Sequence, residues 1–599
     1  VRILAAPAAL LAATLAGGTA AAQVVGATDP VVERLQTAAA VEWRAPVSAT
    51  DPVEIRLVGL NDLHGYLETA AELPGATGPR PVGGAAVLAA YLGHERLTRD
   101  KRTLTLIAGD SIGASPPVSG FLRDEPTLAV LNRLADGDCP PLTRAWPATP
   151  SPVVTRCRTL AAPGNHEFDR GVGEFERLLY GGRAPAGGLG AGDWRGTALP
   201  WLVANVVRRD ARTPLLPGSA IVEVAGVRVG VIGAVTVETA ALVPATRLAE
   251  VQFLPEAPAI NAELAKLKAA GVGTIALVIH EGLRAPVTPQ TAALSPDEIS
   301  GRLRDVIAAL DPGIDVIVSG HTHKLTNVLV ATGRGAPILV TQAREYGTAF
   351  ATIDLTVNRS TGKVVAKGAR VLTTWADEGP GLKPDRKVRG IVEAAKKLTG
   401  PLESRVVGTA AAPLVRARDA SGESPLGELV ADAFRAAAGA ELAFVNAGGL
   451  RNDLGQGPVT YGQLYAALPF GNRVMRVTMS GEQVLDLLEQ QWSGPNAGTG
   501  RTLYPSGLRY SYDLRRPAGR RLVDASDDEG LPIDPKRRYV VATSDYLLGG
   551  GDHFAAFAAA GEATSGVLDR EAVERWLAAH GGAAPARVDG RLRRLDVPR

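Results

Sequence analysis

Short apolar runs punctuate the first two thirds of the chain, and most stop at a polar turn. Residues 53–60 run into Asn61-Asp62-Leu63-His64-Gly65, and residues 103–108 into Gly109-Asp110-Ser111. The run Leu160-Ala161-Ala162 is broken by Pro163 ahead of Gly164-Asn165-His166-Glu167-Phe168-Asp169. Residues 201–207 and 227–235 are again strand-like. Residues 274–279 lead to His280-Glu281-Gly282, 315–319 to Gly320-His321-Thr322-His323, and 338–341 to Gln342. Runs of this length bounded by glycine and proline predict buried strands. Helical periodicity over 256–270 and 295–310 alternates with them, which predicts a layered α/β core. The Gly- and Ala-rich stretch 181–199 reads as a surface insertion.

Near residues 380–400 the pattern changes. A charged helical stretch over 387–398 meets Gly400-Pro401, a pair expected to stop it, and reads as a connector or hinge. A second unit follows, with a helix over 426–438 and a strand over 442–445. Its loops are Asn446-Ala447-Gly448-Gly449-Leu450-Arg451 and Phe470-Gly471-Asn472, and it closes with a strand over 539–542 and a loop over 546–552. With 599 residues the chain exceeds one core. The expected division is 54–380, a linker over 381–402, and 403–599.

Residues 1–22 are expected to be a secretory signal, with Arg2 ahead of an apolar stretch 3–16 too short to span a bilayer and Ala20-Ala21-Ala22 before Gln23. Residues 23–53 lack a clear period and read as a leader segment. No later apolar run is long enough for a membrane anchor, so the expectation is export to periplasm or medium, as a monomer or weak dimer. In an exported chain Cys139 and Cys157 are expected to close their proline-rich loop as a disulfide, two free thiols being the alternative. A net charge of +2 gives no basic stripe, and no nucleic-acid partner is expected.

Five of the eight histidines lie on turns at the ends of apolar runs. In α/β sheets, ligand sites gather where strand carboxyl ends meet. Asp62, His64, Asp110, Asn165, His280, His321 and His323 offer seven N and O donors. That exceeds what one tetrahedral ion needs and suits two divalent ions sharing a carboxylate. Mixed imidazole and carboxylate donors favour Zn, Mn, Co or Fe. Singly, each has a plainer reading: Asp110 as a helix cap, His280 as a hydrogen-bonded structural residue. Their joint occurrence carries the argument. His166, with Asp169 three residues on to fix its tautomer, is the candidate acid or charge stabiliser.

Asp-x-His, Gly-Asp, Gly-Asn-His-Glu, His-Glu-Gly and Gly-His-Thr-His, in this order, resemble the calcineurin-like metallophosphatases, above all the exported bacterial 5′-nucleotidase and UDP-sugar hydrolase branch. The resemblance spans roughly 54–599. It implies a four-layer α/β metallophosphatase sandwich followed by a smaller α/β substrate-specificity domain. It assigns Asp62, His64, Asp110 and His323 to one ion and Asp110, Asn165, His280 and His321 to the other. Family members often carry glutamine where His323 stands, which leaves that ligand's metal preference open. The resemblance also implies substrate contacts from Arg416 (with Arg418 as its rival), Asn446, Gly448, Gly449 and Arg451. Phe470 and Tyr546 would stack on a base, with Asn472 beside them, and Asp552 would accept from ribose hydroxyls. The implied activity is 5′-nucleotidase, releasing phosphate from nucleoside 5′-monophosphates. A 2′,3′-cyclic-nucleotide phosphodiesterase with 3′-nucleotidase activity, a UDP-sugar hydrolase, or a non-catalytic nucleotide-binding or adhesion protein are the alternatives on this scaffold.

Overall fold

The computed structural model describes residues 41–46, 51–69, 71–75, 78–99, 102–185, 192–286, 293–333, 335–498, 500–581, 583–584 and 588–597. The expected signal 1–22 lies outside these residues, as do most of the leader and residues 186–191 of the 181–199 stretch.

Two sheets face one another across the first domain. One has the order Val41–Arg44, Lys363–Thr373, Ala349–Asn358, Pro52–Leu60, Thr103–Ala108, Thr159–Ala162, and its last three strands run parallel. The other has the order Leu325–Val330, Ile338–Ala343, Val316–Ser319, Thr274–His280, Val227–Val235, Ser219–Val224, Val153–Thr155. Its four strands from Ile338–Ala343 to Val227–Val235 are parallel. Leu57, Leu104 and Leu106 of the first sheet share a fully buried core with Val229, Val316 and Leu339 of the second. Helices Ala85–Thr98 and Glu125–Leu134 cover one outer face through Leu88 and Leu131. Helices Glu256–Ala269 and Arg302–Ala308 cover the other through Ile260, Leu264 and Leu303. This is the four-layer sandwich. Strands such as Thr274–His280 are buried at every position because both faces are covered, so they read as unbroken apolar runs.

Four local expectations are corrected. Within 201–207 only Val206 and Val207 join a strand, Val206–Arg208; Trp201 makes a single bridge to Ala161 and owes its apolar neighbours to burial alone. The 295–310 helix is interrupted by Gly301 at φ 99°, a left-handed conformation that separates the turn Pro296–Glu298 from Arg302–Ala308. Val41–Arg44, inside the expected leader, pairs with the edge of the first sheet. Finally, Gly400-Pro401 does not stop the connector helix, which runs Arg386–Glu403. Asp385 caps its start, accepting from the Lys387 and Val388 amides at 2.9 Å. Val388, Val392 and Ala395 pack into the first domain's core, so tertiary burial outweighs the hydrogen bond lost at Pro401.

The second domain centres on a five-stranded sheet, Leu503–Ser506, Leu442–Asn446, Arg538–Ser544, Arg473–Ser480, Ala563–Leu568. Helices Pro425–Ala438 and Asp569–Ala579 pack on one face, and Gly481–Gln490 on the other. Cys139 and Cys157 form a disulfide.

On helix Pro425–Ala438, Glu428 is 4% exposed and one of its oxygens has no partner. Burial, then the neighbouring Glu423, pushes its carboxyl up to about 9. The folded state therefore holds a proton that the unfolded chain releases near its ordinary pKa of about 4.5. The resulting stability is complete below that value and is lost as pH rises toward 9, by roughly 1.4 kcal/mol per pH unit at most. Glu428→Gln mimics the protonated form. It is expected to melt with wild type at pH 5 and a few degrees above it at pH 8. Equal melting temperatures at pH 8 contradict a proton held on Glu428.

Candidate metal centre and adjoining cavity

The parallel strands deliver their carboxyl ends to one place. Asp62 and His64 follow Pro52–Leu60, Asp110 follows Thr103–Ala108, and Asn165 and His166 follow Thr159–Ala162. His280 ends its own strand, and His321 and His323 follow Val316–Ser319. The loops meet so closely that side chains cannot fit between them. A Cβ on Gly109 would lie 2.5 Å from the Gly164 nitrogen, and one on Gly164 would lie 2.1 Å from Asp110 Oδ1. Asp62, His64, Asp110, His321 and His323 all take left-handed backbone conformations, with φ between 48° and 75°. Each costs on the order of 1 kcal/mol, which the surrounding sheets over-determine.

The donors form a chain of three overlapping groups: Asp62 with His64 and His323, His64 with Asp110 and His166, and Asp110 with His280 and His321. Asp110 belongs to the last two. Its Oδ2 is 3.0 Å from His280 Nε2, 3.6 Å from His64 Nε2 and 4.0 Å from His166 Nε2. Asp62 Oδ1 is 3.4 Å from His323 Nε2. His64 Nδ1 donates to the Gly113 carbonyl at 2.9 Å and His280 Nδ1 to that of Ala108 at 2.8 Å, which leaves both Nε2 lone pairs aimed inward. His64 Nε2 stands 3.1 Å from His323 Nε2. Asn165 Oδ1 is buried without a hydrogen-bond partner, and His280 Nε2 faces the Asp110 carboxylate. Converging imidazole and carboxylate donors with an orphaned buried acceptor fit divalent cations.

The electrostatics follow. Burial opposes ionisation of Asp110, but His280, His166 and His64 hold its carboxyl well below the usual carboxylate range. Burial likewise disfavours the His280 cation, yet Asp110 raises it to about 10, so a metal bound at Nε2 would have to displace that proton. His321, half-buried beside His280, is pushed down to about 3 by desolvation and then by the His280 charge.

His166 Nδ1 is 2.7 Å from Asp169 Oδ2. Burial works against its protonation, but Asp169 and then Asp110 raise its pKa above the ordinary histidine value. Its ring lies 5.6 Å from that of Phe470, only 13° from parallel, so the second domain closes directly on the dyad.

A cavity of about 300 Å³ lies between the domains. Asp110, Asn165, His166, Asp169, His321 and His323 line one wall. Asn446, Gly448, Gly449, Arg451, Phe470, Asn472, Tyr546 and Asp552 line the other. Asp62, His64 and His280 are wholly buried behind the first wall. Asp552 accepts from Asn446 Nδ2 at 2.8 Å and from the Tyr546 hydroxyl at 3.0 Å. The Arg451 guanidinium lies 5.9 Å from the Phe470 ring centre. Arg416 is the exception among the expected substrate residues. It does not line the cavity, because Asp453 engages both its backbone N–H, at 2.8 Å, and its Nε, at 3.1 Å. Arg418 is also outside and donates to Thr502.

Several residues escaped the sequence reading. Glu167 accepts from the amides of Asp110 and Ser111 at 2.9 Å and of Gly164 at 2.5 Å, tying two donor loops together. Burial, then the charge of Asp110, pushes its carboxyl up to about 8. Its place in Gly-Asn-His-Glu was the available signal. Asn61 donates to Asp62 Oδ2 at 2.7 Å, and its position before Asp62 was the hint. Arg247, which donates to the Asp169 carbonyl, and Arg501 also line the cavity, and no motif marked either.

Residues 406–559 match the family described as 5′-nucleotidase, C-terminal domain. The chain is 31% identical over 498 residues to a protein of Bacillus subtilis named Endonuclease YhcR, covering 83% of this chain and 37% of that protein. It is 30% identical over 552 residues to Cell wall protein Lmo0130 of Listeria monocytogenes, covering 85% of this chain and 65% of that one. It thus spans only about a third to two thirds of these relatives. The crystal structure of a 5′-nucleotidase precursor from Thermus thermophilus shares the fold, with TM-score 0.70 and 28% identity, over 91% of this chain and 100% of that one.

Proposed function

We propose that this chain, which belongs to the 5′-nucleotidase family joining a metallophosphatase domain to a 5′-nucleotidase C-terminal domain, hydrolyses nucleoside 5′-monophosphates with two divalent metal ions. The observation that carries the reading is the single cavity with seven candidate metal donors at or behind one wall and Arg451, Phe470, Tyr546 and Asp552 on the other. Asp62, His64, Asp110 and His323 would hold one ion, and Asp110, Asn165, His280 and His321 the second. Such ions neutralise phosphoryl charge and lower the pKa of water.

The chain's own groups do the rest. The Arg451 guanidinium, without a hydrogen-bond acceptor among the described residues, can fork onto the phosphoryl oxygens. Phe470 and Tyr546 offer apolar faces to a base, each stack contributing ~1–3 kcal/mol. Asp552, fixed by Asn446 and Tyr546, accepts from ribose hydroxyls. His166, held by Asp169, protonates the ribose oxygen as its bond to phosphorus breaks. Export is supported by the disulfide, which needs an oxidising compartment, and by the cell-wall name of the Listeria relative. No helix among the described residues is long and apolar enough to cross a membrane.

The test is a substrate panel after chelation and metal readdition. AMP hydrolysis is expected to fall by roughly 10²-fold or more on chelation and to return with Zn, Mn, Co or Fe. With metal restored, AMP should be turned over about 10-fold or more faster than 3′-AMP, 2′,3′-cyclic AMP or UDP-glucose. Metal-independent hydrolysis, or none of AMP, overturns the reading.

A further inference from the structure

Arg451 and Arg501 both line the cavity, and neither guanidinium has a hydrogen-bond acceptor among the described residues. They serve different ends. Arg451 lies against the Phe470 ring, which stacks on His166 beside the metal donors, and Arg501 lies beside Asp552. The Arg501 backbone N–H donates to the Gln491 carbonyl at 2.8 Å, which fixes where its side chain starts. Its Nη1 comes within 3.7 Å of Asp552 Oδ1, while its Nε is buried and unpartnered. Asp552 does not require this cation for hydrogen bonding, since Asn446 and Tyr546 already occupy one oxygen each. Two arginines lining one cavity, one beside the Phe470–His166 stack and one beside Asp552, match a ligand that carries two anionic groups.

We propose that Arg501 is a specificity-determining residue that receives a second phosphoryl group on the ribose-hydroxyl edge, so that nucleoside 3′,5′-bisphosphates are preferred to nucleoside 5′-monophosphates. This rests on the nucleotidase reading above. The reaction is unchanged in its bonds: water oxygen bonds to the 5′ phosphorus, the phosphorus–O5′ bond breaks, and the leaving O5′ takes a proton. The products are inorganic phosphate and a nucleoside 3′-phosphate.

The experiment compares adenosine 3′,5′-bisphosphate with AMP on metal-loaded wild type, Arg501→Gln and Arg501→Lys. The wild-type kcat/KM ratio, bisphosphate over monophosphate, is expected to be on the order of 10 and to collapse toward 1 in Arg501→Gln, through KM rather than kcat. Arg501→Lys keeps the charge and should retain part of the ratio. Calorimetric binding of both nucleotides should show the same preference, and thermal melting identifies a variant that fails to fold. A wild-type ratio of 1 or less, or a ratio unmoved in folded Arg501→Gln, overturns the proposal. If AMP is not hydrolysed at all, the nucleotidase reading fails. The binding ratio then decides the Arg501 assignment by itself.

Discussion

Asp110→Asn is expected to lower kcat/KM for AMP by on the order of 10³-fold or more and to strip metal from dialysed protein. Losing only an outer partner of a metal ligand costs about 10–100-fold, so losing the ligand proposed to be shared by both ions should cost more. The geometry isolates the effect to charge. Asp110 Oδ2 is the atom on which His280, His64 and His166 converge, whereas Oδ1 accepts the His166 N–H at 2.9 Å. Asparagine can keep the Oδ1 contact while presenting an uncharged amide to the imidazoles. The loop anchored by Glu167 should therefore persist, while loss of the buried Asp110–His280 pair should lower the melting temperature in the presence of chelator. Metal stoichiometry by mass spectrometry and steady-state kinetics check the two effects separately. Full metal occupancy with wild-type kcat would show that Asp110 is not the shared ligand.

The parts of this protein legible in its sequence are those where local chemistry and tertiary position coincide. Thr103–Ala108 and Val227–Val235 have the bounds expected of them because strands covered on both faces leave unbroken apolar runs. The donor residues were visible because hydrogen-bonding side chains at the ends of such runs have few structural uses in common. Residues 201–207 misled because burial alone, without ladder pairing, produces the same apolar signature. Pro401 misled because packing of Val388, Val392 and Ala395 against the first domain keeps the helix going past a local breaker. That Arg416 lies outside the cavity and Arg501 within it was hidden for a similar reason. Asp453 is 37 residues from Arg416 and Asp552 is 51 residues from Arg501, and the pairings exist only once the second domain has folded. Glu167 is intermediate. Its identity was conspicuous, but its partners at Asp110 and Ser111 lie on a separate strand's loop.

His166→Ala is expected to reduce kcat on AMP by on the order of 10²-fold or more while leaving metal content unchanged. His166 Nε2 approaches Asp110 Oδ2 only to 4.0 Å, and although His166 groups with His64 and Asp110, those two residues each have closer partners in the groups that carry Asp62 and His280, so its loss should leave the metal in place. Its Nδ1 is bound to Asp169, which leaves Nε2 as the proton-carrying atom toward the cavity. Because Asp169 and Asp110 together raise its pKa against the effect of burial, the acid form persists above the ordinary histidine midpoint of about 6.5. The sign for activity follows: a proton donor works below its pKa, so kcat should fall as pH rises through that raised value, and this alkaline limb should vanish in His166→Ala. Asp169→Asn leaves the imidazole in place but removes the anion that raises it, and should move the limb to lower pH. Leaving-group dependence provides the final discrimination. An ester with an acidic leaving group, such as p-nitrophenyl phosphate, needs little protonation, so His166→Ala should lose much less on it than on AMP. Equal losses on both substrates would assign His166 to charge stabilisation at the phosphoryl group instead of proton donation.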